Sequence, residues 1–117
     1  MRQIAKILTI GEEKRTFRIM KLDAFSGVRV LKMLAASEKE DLQDLLFSLQ
    51  DEELDQLMKT CLSHAEVELP AGFIRVWNEG CWGMPELEYE TLTCFRLTQE
   101  VLAWTLSGFF PDGGSPS

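Results

Sequence analysis

The chain has 117 residues, 12 of them basic and 19 acidic, for a net charge of −7. That length suits a single domain with a core of its own, without metal or disulfide support. The acidic balance argues against a nucleic-acid backbone, which rewards clustered Lys and Arg, and against an anionic membrane surface. It suits solubility and a basic or hydrophobic protein partner.

At 45% hydrophobic and 26% charged, the composition is that of an ordinary globular domain. No apolar run reaches the ~18 residues of a membrane span. The opening MRQIAKILTI is interrupted by Lys6 and lacks a small-residue cleavage site, so no signal peptide is expected. Three cysteines cannot all pair within one chain, and reduced cytosolic thiols are the expectation.

Residues 1–22 alternate with period two. Ile4, Lys6, Leu8 and Ile10 share one face, and Phe17 and Ile19 alternate with Thr16, Arg18 and Met20. The pattern predicts a β-hairpin turning at Gly11-Glu12-Glu13-Lys14, with a helix through Ile4, Ile7 and Leu8 as the rival. Asp23 is placed to cap a helix over Ala24–Ala36, with Phe25, Val28, Leu31 and Ala35 along one face and Val30, Met33 and Leu34 widening it. Gly27 weakens that helix unless a neighbour packs closely there. Ser37-Glu38-Lys39-Glu40 reads as a capping box opening a second helix through Leu42, Leu45, Leu46 and Leu49. Asp51 then caps a third through Leu54, Leu57, Met58, Cys61 and Leu62, and the short connection predicts an antiparallel helical hairpin.

From Ala65 the period returns to two. Val67 and Leu69 alternate with Glu66 and Glu68, Pro70-Ala71-Gly72 turns, and residues 73–77 form a second short hairpin arm. Residues 78–85, NEGCWGMP, read as loop. A last helix over residues 91–110, capped by Thr91, is apolar around more than half its circumference. Phe95, Leu102, Leu106 and Phe109 line one side and Cys94, Leu97, Val101 and Trp104 the adjoining one, leaving Thr93, Arg96, Glu100 and Ser107 as a polar strip. Such a helix is either the centre of the core or packs with one flank and offers the other to a partner. The fold expected is α+β, mainly α: an N-terminal β-hairpin, about four helices with the C-terminal one central, and a second short β-hairpin. One domain over residues 1–110 and a tail over 111–117 complete it.

Catalytic signals are poor. Cys61 and His64 lie three apart, but the chain has no second His and no Cys-x-x-Cys, so no zinc site is expected. Cys61 reads as a small core residue and His64 as a group at the carbonyl end of the third helix. The alternating Glu86, Glu88 and Glu90 read as a solvated acidic face, and Gly80 and Gly83 lack the Lys and Ser/Thr of a phosphate loop. No catalytic residue, cofactor or metal is expected. The aromatics Trp77, Trp82, Trp104, Phe109 and Phe110 gather in the last third, where they serve a core or an interface equally well.

Three stretches, ILTIGEEKRTFRIMKLDAFSGVRVLKMLA, VELPAGFIRVWNEG and FRLTQEVLAWTLSGFFPDGGSPS, together resemble the tail assembly chaperones of long-tailed phages and prophages. The resemblance implies a non-enzymatic protein of the host bacterial cytoplasm, absent from the mature virion. It would bind and solubilise the tape measure protein and help recruit tail tube protein. It also implies that the chain is the short, unshifted product of a gene whose frameshifted form is longer. On that basis Leu97, Val101, Trp104, Phe109 and Phe110 are expected to include part of the partner or self-association surface. The competing readings are a structural tail component that stays in the particle and an acidic inhibitor mimicking DNA.

Overall fold

The computed structural model describes residues 5–11, 13–37 and 41–107. Its architecture is α+β with helix predominating, and the two sequence-predicted hairpins are both present. Strands β1 (Ala5–Ile10) and β2 (Arg15–Met20) form the first, β3 (Ala65–Leu69) and β4 (Gly72–Arg75) the second. They join through β2 and β3 into one antiparallel sheet of order β1-β2-β3-β4. Leu8 stands opposite Phe17, Phe17 opposite Val67, and Val67 opposite Ile74, so these four share a face. The reverse face carries Ile7, Arg18, Glu66 and Arg75 in register. There the Arg18 Nε donates to the Glu66 carboxylate at 2.6 Å, and the Arg18 guanidinium lies over the Phe73 ring.

Four helices follow the sequence spacing, α1 with the ends expected: α1 (Ala24–Ala36), α2 (Leu42–Ser48), α3 (Asp51–Leu62) and α4 (Thr91–Leu106). The Asp23 carboxylate caps α1 as expected, accepting from the Ser26 amide. The capping box expected from Ser37 does not open α2. Ser37 closes α1 instead, its amide donating to the Met33 carbonyl and its hydroxyl to that of Leu34. Asp41 caps α2 by accepting from the Gln43 amide; Glu38, Lys39 and Glu40 lie outside the described residues. Asp51 is the first residue of α3 rather than its cap, which is Gln50, whose amide donates to Glu53. Thr91 likewise begins α4, and Glu90 holds the cap position.

The expected α2–α3 hairpin does not form. Leu49 and Gln50 between them are both extended, with ψ of 153° and 152°, and the two helices barely touch. Each packs on α4 instead. So do α1 and the first two strands, which makes α4 the central element, as one of the two sequence readings had it. The core is built from Phe17, Ile19, Ala65 and Val67 of the sheet, Val30 of α1, Leu46 of α2, Leu57, Cys61 and Leu62 of α3, and Leu97, Val101, Leu102 and Leu106 of α4.

Polar ties hold distant segments to that hub. The Thr105 hydroxyl accepts from the Leu22 amide at 3.0 Å and donates to the Val101 carbonyl, fixing the start of α1 against the end of α4. The Cβ of a residue placed at Gly27 would sit 3.5 Å from Thr105 Cγ2, an ordinary contact between the two helices. At the other end of α4, Arg15 Nη2 reaches Glu90 at 3.0 Å and Glu13 at 3.1 Å.

The segment read as loop after Trp77 carries its own order. Strands β5 (Trp77–Asn78) and β6 (Cys81–Trp82) pair antiparallel across Glu79 and Gly80, both with positive φ, 53° and 83°. Two such residues in a row match a type I′ turn, the one whose twist suits a two-residue hairpin. A 3₁₀ turn, Pro85–Tyr89, leads from this ribbon into α4.

Candidate protein-binding surface

The five residues expected at a partner surface are placed unevenly. Leu97 and Val101 are wholly buried, packed in the core, so they take no part in any contact surface of the folded chain. The apolar circumference of α4 is consumed from within, because α1, α2, α3 and the sheet all pack on it. Trp104 is half-buried, with the ammonium groups of Lys21 and Lys6 at 4.9 and 5.3 Å from its ring. Phe109 and Phe110 lie outside the described residues.

The surplus apolar surface lies elsewhere. On α1, Phe25 is 84% exposed and Val28 61% exposed. They lead one flank of the broad apolar face read from the sequence; the buried residue is Val30 on the other flank, with Leu31, Met33 and Leu34 packed against the core. A helix apolar on both sides gives no phase in isolation, and packing on α4 sets which side turns inward. A second exposed cluster involves α2 and the start of α4. Phe47 is 65% exposed and stacks on Phe95 with ring centroids 5.1 Å apart and planes 9° off parallel. Leu92, one turn before Phe95, and Tyr89 are also largely exposed. The sequence reading gave no role to Phe47, Tyr89 or Leu92. The signal available was that each breaks the apolar phase of its own element.

Between α1 and α3 runs a groove of about 380 Å³. Leu22, Val30, Met33 and Leu57 contribute its apolar lining. Ser26 and Arg29 belong to the α1 side, and Glu52, Glu53, Gln56 and Thr60 to the α3 side. Phe25 stands one helical turn from Arg29 and therefore on the same side of α1. The Thr60 hydroxyl is bonded back to the Gln56 carbonyl at 2.9 Å, and neither an imidazole nor a thiol lines the groove. The lining suits the grip of an apolar side chain better than bond-making chemistry.

The nucleophilic and titratable groups are dispersed. Burial pushes the Cys61 thiol up to about 12 and, with the nearby Glu90 charge, the Cys94 thiol up to about 11, so both are neutral thiols at physiological pH. Cys94 Sγ donates to the Leu87 carbonyl, while Cys81 is exposed on the ribbon. His64 Nδ1 lies 2.8 Å from the Thr60 carbonyl, which only accepts, so the ring nitrogen donates to the end of α3, where the sequence had placed it. Among the described residues no group of three His, Cys, Asp or Glu is arranged to hold a metal ion, and no helix is long and apolar enough to cross a membrane. Trp77 and Trp82, read as core or interface, pack edge to face at 5.2 Å across the ribbon.

In comparison with protein families, the model described as "Phage tail assembly chaperone protein, TAC" matches residues 35–116. Searches of curated proteins and of solved structures find no match.

Proposed function

Because the chain belongs to the phage tail assembly chaperone family, we propose that it works without catalysis, holding the tape measure protein soluble in the host cytoplasm and helping to bring tail tube subunits around it. In this reading it leaves before the particle matures. The observation that carries the reading is apolar surface left outside a filled core: Phe25 and Val28 on one side, Phe47, Tyr89 and Leu92 on another. A holdase needs such surface to grip exposed apolar helices reversibly, and a net charge of −7 keeps its own copies apart. Two separated patches also suit a chain that lies along a long client beside further copies, where avidity replaces tight single contacts. Of the residues expected from sequence, Trp104, Phe109 and Phe110 stay in the proposed contact set, and Leu97 and Val101 leave it.

The test is co-expression with the tape measure protein of the same phage. The soluble fraction of that protein and its co-purification should both rise with this chain present. They should fall when Phe25 and Val28 are both replaced by Asp, since exposed positions tolerate such changes without unfolding. A tape measure protein equally insoluble with and without the chain defeats the proposal. Detection of the chain in purified virions by mass spectrometry moves it to the class of structural tail components.

A further inference from the structure

We propose that the groove between α1 and α3 receives one amphipathic helix of the client, its apolar stripe against half-buried Met33 over a floor formed by the buried Val30 and Leu57, and a Lys/Arg-bearing flank over Glu52 and Glu53. The inference rests on the chaperone reading and names the chemistry of what that reading leaves unspecified. Three observations carry it. The groove lies between two helices and is floored by apolar side chains, the form in which a third helix beds its i, i+3, i+4, i+7 anchors. Its α3 side carries two adjacent carboxylates in the first turn, Glu52 and Glu53, against a single cation, Arg29, from α1. Among the described residues neither Glu52 nor Arg29 is taken up by an ion pair within the chain. Glu53 is partly used, because it accepts from the Gln50 amide. The two sides therefore offer unequal charge to an incoming helix: acid along α3 and one base along α1. A basic flank on the α3 side is favoured, and an acidic flank there meets repulsion.

The measurement uses two fluorescent 18-residue peptides with leucines at helical spacing, one with lysines along a single flank and the other with glutamates in their place. Anisotropy titration of the full chain should show the lysine peptide binding at least about tenfold tighter than its twin, with an affinity that falls as salt rises. Glu52→Lys should weaken the lysine peptide by roughly fivefold and narrow the gap between the twins. Glu68→Lys, an equal change of net charge on the exposed sheet, should do neither. Gln56→Trp fills the groove from an exposed α3 position and should abolish binding. Gln56→Ala should bind like the native chain, and urea unfolding should show both Gln56 variants folded.

Equal binding of the two peptides overturns the inference, as does binding that survives Gln56→Trp or responds equally to Glu52→Lys and Glu68→Lys. A native dimer that Gln56→Trp dissociates overturns it in favour of a second copy as occupant. If Gln56→Trp solubilises the tape measure protein as well as the native chain does, the groove assignment falls and the chaperone reading stands. If groove-dependent peptide binding holds but the native chain fails to solubilise that protein, the chaperone reading falls alone.

Discussion

Among the described glycines, Gly83 is the position where a single added carbon should do the most damage. It follows β6, and its amide donates to the Val76 carbonyl at 2.9 Å. A Cβ built there overlaps the backbone carbonyl oxygen of Arg75 and comes within 3.1 Å of its carbon and 3.3 Å of Ile74 Cγ1. The obstructing oxygen is main chain and has no rotamer to escape into, so relief requires the ribbon to move away from β4. That movement strains the Gly83–Val76 hydrogen bond and the one from the Val76 amide to the Ala65 carbonyl, each worth about 1 kcal/mol net. It also disturbs Val76, which is fully buried, at an overpacking cost of about 1–2 kcal/mol. Gly83→Ala should therefore destabilise the fold by about 3–4 kcal/mol, a large part of the ~6–18 kcal/mol expected for a domain of this size. Gly27→Ala is the internal control. There the added carbon meets Thr105 Cγ2 at 3.5 Å, an ordinary contact, and helix propensity should stabilise the fold by up to ~1 kcal/mol. Urea unfolding followed by circular dichroism and by tryptophan fluorescence gives both numbers. If Gly83→Ala falls within ~0.5 kcal/mol of native, or Gly27→Ala costs more than Gly83→Ala, the packing argument is wrong.

Native alkylation with iodoacetamide should modify Cys81 alone, with Cys61 and Cys94 reacting only in urea; peptide mapping checks it. Alkaline pH should weaken the fold. Cys61 and Cys94 are held neutral to about 12 and about 11 when folded but ionise near 9.0 when unfolded, so their contribution is complete below pH 9 and is lost as pH rises through 11 and 12. Denaturation midpoints at pH 8 and 10.5 should differ, and a Cys61→Ala/Cys94→Ala variant should show a smaller difference; equal pH dependence in the two proteins contradicts the assignment. Arg15→Met removes the tie between the first hairpin turn and the start of α4. Because Glu90 and Glu86 are partly solvated, the cost should be only about 1–2 kcal/mol and should shrink in high salt, as chemical unfolding at two ionic strengths will show.

What the sequence made legible is what it encodes locally. The period-two strands, the Asp23 cap and the placement of His64 at the end of α3 each depend on residues within a few positions of one another. Three other features depend on partners far along the chain. The joining of the two hairpins rests on Phe17 meeting Val67, and nothing near either residue announces the other. Which flank of α1 turns inward was open because Phe25 and Val28 are as apolar as Val30 and Leu34, and only packing on α4, far along the chain, breaks the tie. The leucines of α2 and α3 fit each other on paper as well as they fit α4, and the extended pair Leu49-Gln50 sends them apart. The candidate surface suffered from the same ambiguity. Leu97 and Val101 looked available because a helix apolar over most of its circumference exceeds what one neighbour covers, yet α4 has neighbours on every side but a narrow one. The ribbon at residues 77–82 was the most recoverable omission, since a glycine three residues after Trp77 and two before Trp82 is hairpin chemistry.

The hub position of α4 has a bearing on biosynthesis. Of all the described elements it is the last to leave the ribosome, and the earlier ones have no common partner until it arrives. A nascent chain halted before residue 91 would keep its sheet and the contact of α3 with β3 but lack the element on which α1 and α2 pack, leaving leucines open to chaperones and proteases. Folding should accordingly be one late event rather than a stepwise one, and a fragment of residues 1–90 should be degraded by trypsin orders of magnitude faster than the whole chain.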